Sequence, residues 1–261
     1  MMNENIIAVI IGIVEGLTEF LPISSTGHMI LVGSLLGFEG EKASVFEVFI
    51  QLGAILSVFI LYREKFCGML TAKRSGLTVL HVLAGIVPVM GVGFLLHKPI
   101  KLYLFSPYTV IIGLIAGAIF MLAAEKISKQ PVTSDVDNMT ISQAFFVGAF
   151  QIFALWPGFS RSGSTIAGGL LLGMSRKAAA EFSFVIAVPL MLVACSYDVM
   201  KIWHQLNSGD FTMIFIGFVV AFITAYISIV WFLRFLNNST LASFAYYRII
   251  LAILAYRYFS G

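Results

Sequence analysis

The stretch Glu15-Gly-Leu-Thr-Glu-Phe-Leu-Pro-Ile-Ser-Ser-Thr-Gly-His28 decides the fold, because it is polar and yet lies inside an apolar run from Ile6 to Leu36. A related stretch follows 136 positions later in the same ungapped frame. The matched pairs are Gly12 with Gly148, Glu15 with Gln151, Ser24 with Ser160, Thr26 with Ser162, Gly27 with Gly163 and Gly37 with Gly173. A duplicated apolar segment that Ser, Gly and ionisable residues interrupt predicts a membrane protein with one site built from two halves.

The composition is typical of an integral membrane protein. Hydrophobic residues make up 59% of the 261 residues and charged residues only 11%, and the mean hydropathy is +0.98. A soluble domain carries roughly 25% charged residues. Because the apolar runs are continuous rather than alternating, we expect membrane helices. The net charge of +3 is small and spread over the loops, so it favours membrane lipids as surroundings and argues against a nucleic-acid partner.

Six apolar segments are long enough to cross a membrane as helices. They cover residues 43–62, 77–97, 105–124, 180–200, 211–233 and 243–259. The interrupted segment differs, because its arms, residues 6–21 and 27–36, reach only about 24 and 15 Å, against a hydrocarbon core of about 30 Å. Pro22 and Pro157 stand just before the two breaks, where a helix is expected to end. We therefore expect two re-entrant helix–loop–helix hairpins beside six transmembrane helices.

The duplication predicts an all-α integral membrane protein that is one domain with an inverted-topology repeat. Repeat 1 covers about residues 1–128 and repeat 2 about residues 139–261, with a polar linker at 130–138 between them. Each repeat has one hairpin, which returns to its own side, and three spans, which do not, so the second repeat is inverted. The two polar loops then enter from opposite faces and meet inside the membrane.

Basic residues are divided unevenly between the two sides. One side receives nine: Arg63, Lys65, Lys73, Arg74, Lys126, Lys129, Arg176, Lys177 and Arg234. The other receives five: Lys42, Lys98, Lys101, Lys201 and Arg257. The positive-inside rule places the nine in the cytoplasm and both termini outside.

The two carboxylates of the first motif predict a cation. Glu15 and Glu19 are four residues apart, so a helix places both on one face. Two carboxylates in an apolar site need a cation or a shared proton. A divalent ion such as Mg²⁺ or Ca²⁺, bound by one or both carboxylates and by phosphate oxygens of a substrate, meets that need. The alternative is a helix end at the membrane surface with two solvated carboxylates.

The two loops offer the groups that a phosphate requires. Ser24-Ser-Thr-Gly-His28 supplies hydroxyls, a flexible backbone and an imidazole, although one hydroxyl is also expected to cap the next helix. Pro157-Gly-Phe-Ser-Arg-Ser-Gly-Ser-Thr165 contains Arg161, whose planar fork suits phosphate oxygens. Alternatively, Arg161 only neutralises Glu15 or Glu19. Together the loops predict a phosphate site better than a sugar or amino-acid site.

Further polar residues lie in the apolar segments. Glu47 with Gln51, and Glu181 with Ser183, occupy comparable places in the two halves, where they either support the site or pair at the membrane surface. Arg248 either pairs with one of those acids or extends to a lipid headgroup.

The two motifs resemble the signature motifs of the undecaprenyl-pyrophosphate phosphatases of the bacitracin-resistance type. The likeness extends along the chain, including Phe46-Glu47, Gln51-Leu-Gly53 and Glu181-Phe-Ser-Phe184. It implies a multi-pass enzyme of the bacterial inner membrane that hydrolyses undecaprenyl pyrophosphate to undecaprenyl phosphate and inorganic phosphate. That reaction recycles the carrier lipid for peptidoglycan synthesis and confers bacitracin resistance. The family also implies an active site open to the periplasmic, outer face.

The resemblance assigns roles to the residues of the two motifs. It implies catalytic roles for Glu19, Ser25, His28 and Arg161, phosphate binding by Ser24, Thr26, Gly27, Ser160, Arg161 and Ser162, and Mg²⁺ or Ca²⁺ binding by Glu15 and Glu19. Our hypothesis is a Ser25 nucleophile that His28 assists. A water nucleophile remains the alternative, and the oligomeric state, including a homodimer, stays open.

Two other functions compete with this one. A transporter or flippase of a phosphorylated polyprenyl lipid is the main alternative, because inverted repeats with broken helices are typical of secondary transporters. A lipid phosphatase of the phosphatidic-acid type also pairs Ser-Gly-His, but it needs a His soon after its Ser-Arg. Here Ser160-Arg161 is followed by no His before His204, which argues against that family.

Overall fold

The computed structural model of this chain describes residues 3–71, 76–104, 106–202 and 210–260, without the side chains of residues 97, 101 and 202. Three basic residues of the charge count are affected. Lys73 and Arg74 lie outside the described residues, as does the side chain of Lys101. The helices are α1 (Glu4–Thr18), α2 (Ser25–Leu36), α3 (Glu41–Leu61), α4 (Arg63–Leu70), α5 (Val79–Tyr103), α6 (Pro107–Ile127), α7 (Ile141–Phe150), α8 (Arg161–Leu171), α9 (Arg176–Ile202), α10 (Asp210–Phe235) and α11 (Ala242–Ser260). Short 3₁₀ turns cover Val136–Asn138 and Gln151–Leu155.

Five of the described helices are long and apolar enough to cross a membrane. They are α3, α5 as far as Leu96, α6, α9 as far as Lys201, and α10. They correspond to five of the six predicted spans, and they confirm an all-α, multi-pass integral membrane protein. The sixth prediction falls on α11, which has 19 residues but is not among the five. Two arginines, Arg248 and Arg257, and four tyrosines lower its apolar character.

The four helices of the two interrupted segments are each too short to cross a membrane. Helices α1, α2, α7 and α8 contain 15, 12, 10 and 11 residues, which correspond to about 22, 18, 15 and 16 Å at 1.5 Å per residue. They are the arms of the two interrupted segments, and each pair packs together, α1 on α2 and α7 on α8. The re-entrant path of these pairs stays a prediction.

The first helix of each half packs against the other half of the chain. Helix α1 packs on α10, and its counterpart α7 packs on α5. In the same way α3 contacts α10 while α9 contacts α5, and α3 also contacts α9. This exchange encloses both interrupted segments between long helices, so their polar loops lie in the interior of the bundle. The division into two repeats, which this exchange follows, stays a prediction.

Glycine at the matched positions 12 and 148 permits these contacts. A Cβ atom at Gly12 would lie 2.8 Å from the carbonyl oxygen of Gly217 in α10. One at Gly148 would lie 2.8 Å from the carbonyl carbon of Gly85 in α5. Real Cβ atoms do not approach backbone so closely, and small residues are what lets membrane helices meet at short range.

We expect Gly12→Ala to lower the free energy of unfolding by about 1–3 kcal/mol, because the added methyl group forces α1 away from α10. The measurement is the midpoint of thermal unfolding of the purified protein in detergent. Gly91→Ala in α5 is the matched control, since a Cβ atom there meets nothing within 4 Å. An equal midpoint for Gly12→Ala and Gly91→Ala would contradict the close α1–α10 contact.

Candidate active site

Each polar loop ends in a serine with a strained backbone. Ser24 has φ +69° and Ser160 has φ +77°, and they are the two non-glycine residues with positive φ in the described part of the chain. Each serine caps the helix that follows, because its Oγ accepts a hydrogen bond from the amide three residues on, of Gly27 at 3.4 Å and of Gly163 at 3.1 Å. Such a conformation costs about 1–3 kcal/mol and persists only where the surroundings impose it. The same strain at matched positions marks both loops as functional candidates.

Glu19 is the side chain at which the two loops meet. Its Oε2 atom accepts a hydrogen bond from Ser25 Oγ at 2.5 Å, and its Oε1 atom accepts one from Arg161 Nη2 at 3.2 Å. Both charged side chains are largely buried, Arg161 at 13% and Glu19 at 8% exposure. Arg161 also donates from Nη1 to the carbonyl oxygen of Ser183 at 3.1 Å and lies 5.6 Å from the ring centre of Phe20. One carboxylate thus contacts both a hydroxyl and a cation.

A second bond joins the loops behind this ion pair. Ser162 Oγ donates to the carbonyl oxygen of Leu21 at 2.8 Å and lies 3.2 Å from Ser160 Oγ. Thr165 and Ser183 continue this polar cluster into α9, with their hydroxyl oxygens 2.7 Å apart. Because all of these groups are buried and bonded, the geometry of the two loops is held from within.

A cavity of about 210 Å³ opens between the loops. Its lining contains one carboxylate, one guanidinium and several hydroxyl groups. The lining residues are Glu19, Ser24, Ser25, Thr26, Gln51, Ala154, Pro157, Gly158, Ser160, Arg161 and Met191. An arginine with several hydroxyl donors is the donor set that suits a phosphate group. Six of the predicted site residues are therefore brought to one cavity.

Four other predicted site residues are not part of the described cavity lining. They are Glu15, Gly27, His28 and Ser162. Glu15 is 1% exposed, and the hydroxyl of Ser162 donates its hydrogen to the carbonyl oxygen of Leu21. Both nitrogens of His28 are engaged, Nδ1 at 2.8 Å from the carbonyl oxygen of Ser24 and Nε2 at 2.7 Å from the hydroxyl of Tyr247. The contact with Ser25 that the sequence predicts for His28 is made here by Glu19.

The carboxylates fit a divalent cation only in company with a substrate. Among the residues that the structure describes, no three His, Cys, Asp or Glu side chains lie close enough to hold a metal ion. Both oxygens of Glu19 are engaged, whereas the buried Oε1 of Glu15 has no hydrogen-bond partner. Two carboxylates suffice for Mg²⁺ when substrate phosphate oxygens and water complete its coordination.

Arg248 is not where the sequence interpretation placed it. It is fully buried, and its Nη2 donates to the carbonyl oxygens of Gly113, Gly158 and Phe159 at 3.2, 2.8 and 2.8 Å. Both predicted alternatives, a bond to an acid and a reach to a headgroup, are wrong, because Nη2 donates to carbonyl groups of the second loop and of α6. Arg248 thereby fixes the turn that leads into Ser160. Its burial could not be read from the isolated pattern Tyr246-Tyr-Arg248.

Comparison with known proteins shows the family of the chain. Residues 8–254 match the family model described as bacitracin resistance protein BacA. The chain is 52% identical over 258 residues to Undecaprenyl-diphosphatase 1 of a Bacillus cereus strain, with 97% of each chain covered. It is also 52% identical over 259 residues to proteins of the same name from Bacillus thuringiensis (strain Al Hakam) and Bacillus anthracis, again with 97% of each chain covered. The family match and the matches to these relatives each cover nearly the whole chain. This chain therefore belongs to the bacitracin resistance protein BacA family.

Proposed function

We propose that this protein is an undecaprenyl-diphosphatase, a membrane phosphatase that hydrolyses undecaprenyl pyrophosphate to undecaprenyl phosphate and inorganic phosphate. The reaction returns the carrier lipid to peptidoglycan synthesis and confers bacitracin resistance. The family description and the names of the relatives support this assignment. The observation that carries it is the contact of the Ser25 hydroxyl with Glu19, beside Arg161 and at the cavity between the loops.

Ser25 is the nucleophile of the first step. Its hydroxyl already donates to Glu19 Oε2, so Glu19 takes the proton as Ser25 Oγ attacks the terminal phosphorus. The bond between that phosphorus and the bridging oxygen breaks. Undecaprenyl phosphate leaves, and the terminal phosphoryl group remains on Ser25.

Water completes the reaction in a second step. The proton on Glu19 passes to the departing phosphate, which restores the carboxylate. Glu19 then takes a proton from water as the water oxygen attacks the phosphorus of phosphorylated Ser25. The bond from phosphorus to Oγ breaks, Glu19 returns its proton to Ser25 Oγ, and inorganic phosphate leaves the cavity.

The second loop binds the phosphoryl group that is transferred to Ser25 of the first loop. Arg161 is held by Glu19 and Ser183, so its guanidinium faces the cavity in a fixed orientation and donates to phosphate oxygens when the substrate enters. The hydroxyls of Ser24, Thr26 and Ser160 supply further donors. Gly27 and Ser162 support the loops that present these groups.

A divalent cation, Mg²⁺ or Ca²⁺, acts with these residues. Glu19 and Glu15 would hold it together with oxygens of the diphosphate, and the unpartnered Oε1 of Glu15 supports this choice. When bound, the ion offsets the repulsion between the negatively charged diphosphate and the two carboxylates.

We place the protein in the plasma membrane with six spans and two re-entrant hairpins in an inverted repeat. Helix α11 is the sixth span, since its 19 residues reach about 28 Å. The nine basic residues on one side put both termini outside, and the family resemblance implies that the cavity opens to the outer face. The polyprenyl chain of the substrate lies among the membrane lipids while its diphosphate enters the cavity.

Replacement of either member of the Ser25–Glu19 pair is expected to abolish most phosphate release. Glu19→Gln removes the proton acceptor, which is worth about 10²–10⁴-fold in rate, and Ser25→Ala removes the nucleophile. The assay is phosphate release from undecaprenyl pyrophosphate by purified protein in detergent. Ser44→Ala is the control, because this exposed serine donates only to the carbonyl oxygen of Gly40.

Wild-type turnover in Ser25→Ala would exclude the covalent route. If the wild-type protein moves the lipid between leaflets of a vesicle but releases no phosphate, the flippase alternative replaces the phosphatase.

Removal of divalent ions with a chelator is expected to stop phosphate release, and added Mg²⁺ or Ca²⁺ to restore it. Glu15→Gln should raise the ion concentration needed for half-maximal activity about tenfold or more, because one carboxylate ligand is lost. Activity that persists at full rate in excess chelator would remove the metal role from Glu15 and Glu19.

A further inference from the structure

The imidazole of His28 is fixed between a backbone carbonyl and a tyrosine. A carbonyl oxygen only accepts, so Nδ1, at 2.8 Å from the Ser24 oxygen, carries a hydrogen. In the neutral ring Nε2 is then an acceptor, and the hydroxyl of Tyr247 donates to it across 2.7 Å. The two rings are also stacked, with centres 5.6 Å apart and planes 5° from parallel. The Ser24 carbonyl thus sets the tautomer of His28, and Tyr247 holds the ring by its other nitrogen.

The second loop provides an internal comparison that shows what this bond does. The first helical hydrogen bond after the strained serine is 3.0 Å from Ser164 N to the Ser160 oxygen, but 3.4 Å from His28 N to the Ser24 oxygen. The serine cap bond is also longer in the first loop, 3.4 Å against 3.1 Å. Helix α2 therefore holds its strained serine less tightly than α8 does. The imidazole bond to the Ser24 oxygen supplies the missing restraint.

The residue at the matched position in the second loop bonds differently. Ser164 occupies the place of His28, and its hydroxyl donates locally to the carbonyl oxygen of Arg161 at 2.9 Å. His28 instead connects α2 to α11, on which Tyr247 lies. The loop that gained this connection is the one that carries Ser25, the neighbour of the strained Ser24. A change in the torsions of Ser24 therefore redirects Ser25 relative to Glu19.

We propose that Tyr247 is a positioning residue for the reaction, which holds the His28 ring in the orientation that braces the Ser24 carbonyl and so aims Ser25 at Glu19. The proposal rests on the proposed function and deepens it. It makes His28 a positioning residue as well, because its ring nitrogens are both engaged away from the cavity. Neither role could be read from the sequence, in which Tyr247 lies 219 positions from His28.

Tyr247→Phe tests the proposal, since it keeps the stacked ring and removes only the hydroxyl. We expect kcat for phosphate release to fall about 3- to 10-fold, the equivalent of one hydrogen bond. KM should stay within about twofold, because Tyr247 is not part of the described cavity lining. The matched control is Tyr258→Phe, which removes a hydroxyl contact of 3.4 Å with Ser34 between the same two helices and should leave kcat unchanged. An equal loss in both variants, or none in Tyr247→Phe, would overturn the proposal.

A spectroscopic measurement follows the contact without reference to turnover. In full-length protein with ¹⁵N-labelled histidine, the ring signals of His28, assigned by their loss in His28→Gln, should report a single tautomer protonated at Nδ1. Tyr247→Phe should shift the Nε2 signal of His28, because this nitrogen loses the hydrogen bond that it accepts from Tyr247, and Tyr258→Phe should not shift it. An unchanged Nε2 signal in Tyr247→Phe refutes the positioning role. If the wild-type protein releases no phosphate, the proposed function fails, while the Nε2 signal still decides whether Tyr247 holds His28.

Discussion

The ion pair between Glu19 and Arg161 is the constraint on which the rest of the structure depends. A glutamate and an arginine that leave water for an apolar interior each lose several kcal/mol of hydration, and only a partner with further hydrogen bonds offsets that loss. The pair spans two loops that are 142 residues apart in the chain. The helices must therefore pack so that both loops reach one place. The exchange of α1 onto α10 and α7 onto α5 achieves this.

Symmetry of the backbone and asymmetry of the side chains together make the site. Ser24 and Ser160 share the same strained turn and the same cap. At the positions around them the halves diverge, because the first loop has Glu19 and His28 where the second has Leu155 and Ser164. In the proposed reaction one copy supplies the carboxylate of Glu19 and the nucleophile Ser25, and the other supplies the cation Arg161. On this proposal, two copies of one loop supply both halves of a phosphate-transfer site.

Patterns in the sequence predicted the features that depend on composition and spacing. These are the helical class, five of the spans and the meeting of the two polar loops. They did not predict which way individual side chains point, because that depends on partners distant in sequence. His28 bonds to Tyr247, Arg248 bonds to carbonyl groups of the second loop, and Glu15 is buried outside the described cavity lining. Helix α11 is not among the five helices that hydropathy identifies as spans, for a related reason. Its Arg248 is buried in protein, but a mean hydropathy counts this side chain as if it faced lipid.

A double-mutant cycle on Glu19 and Arg161 tests most directly whether these residues act as one centre. The quantity is kcat/KM for phosphate release from undecaprenyl pyrophosphate in Glu19→Gln, Arg161→Gln and the double variant. Residues that act as a unit are strongly non-additive, so the double variant should lose about as much activity as the more damaged single variant. A loss equal to the product of the two single losses would show that Glu19 and Arg161 act independently, and would contradict a site assembled by their contact.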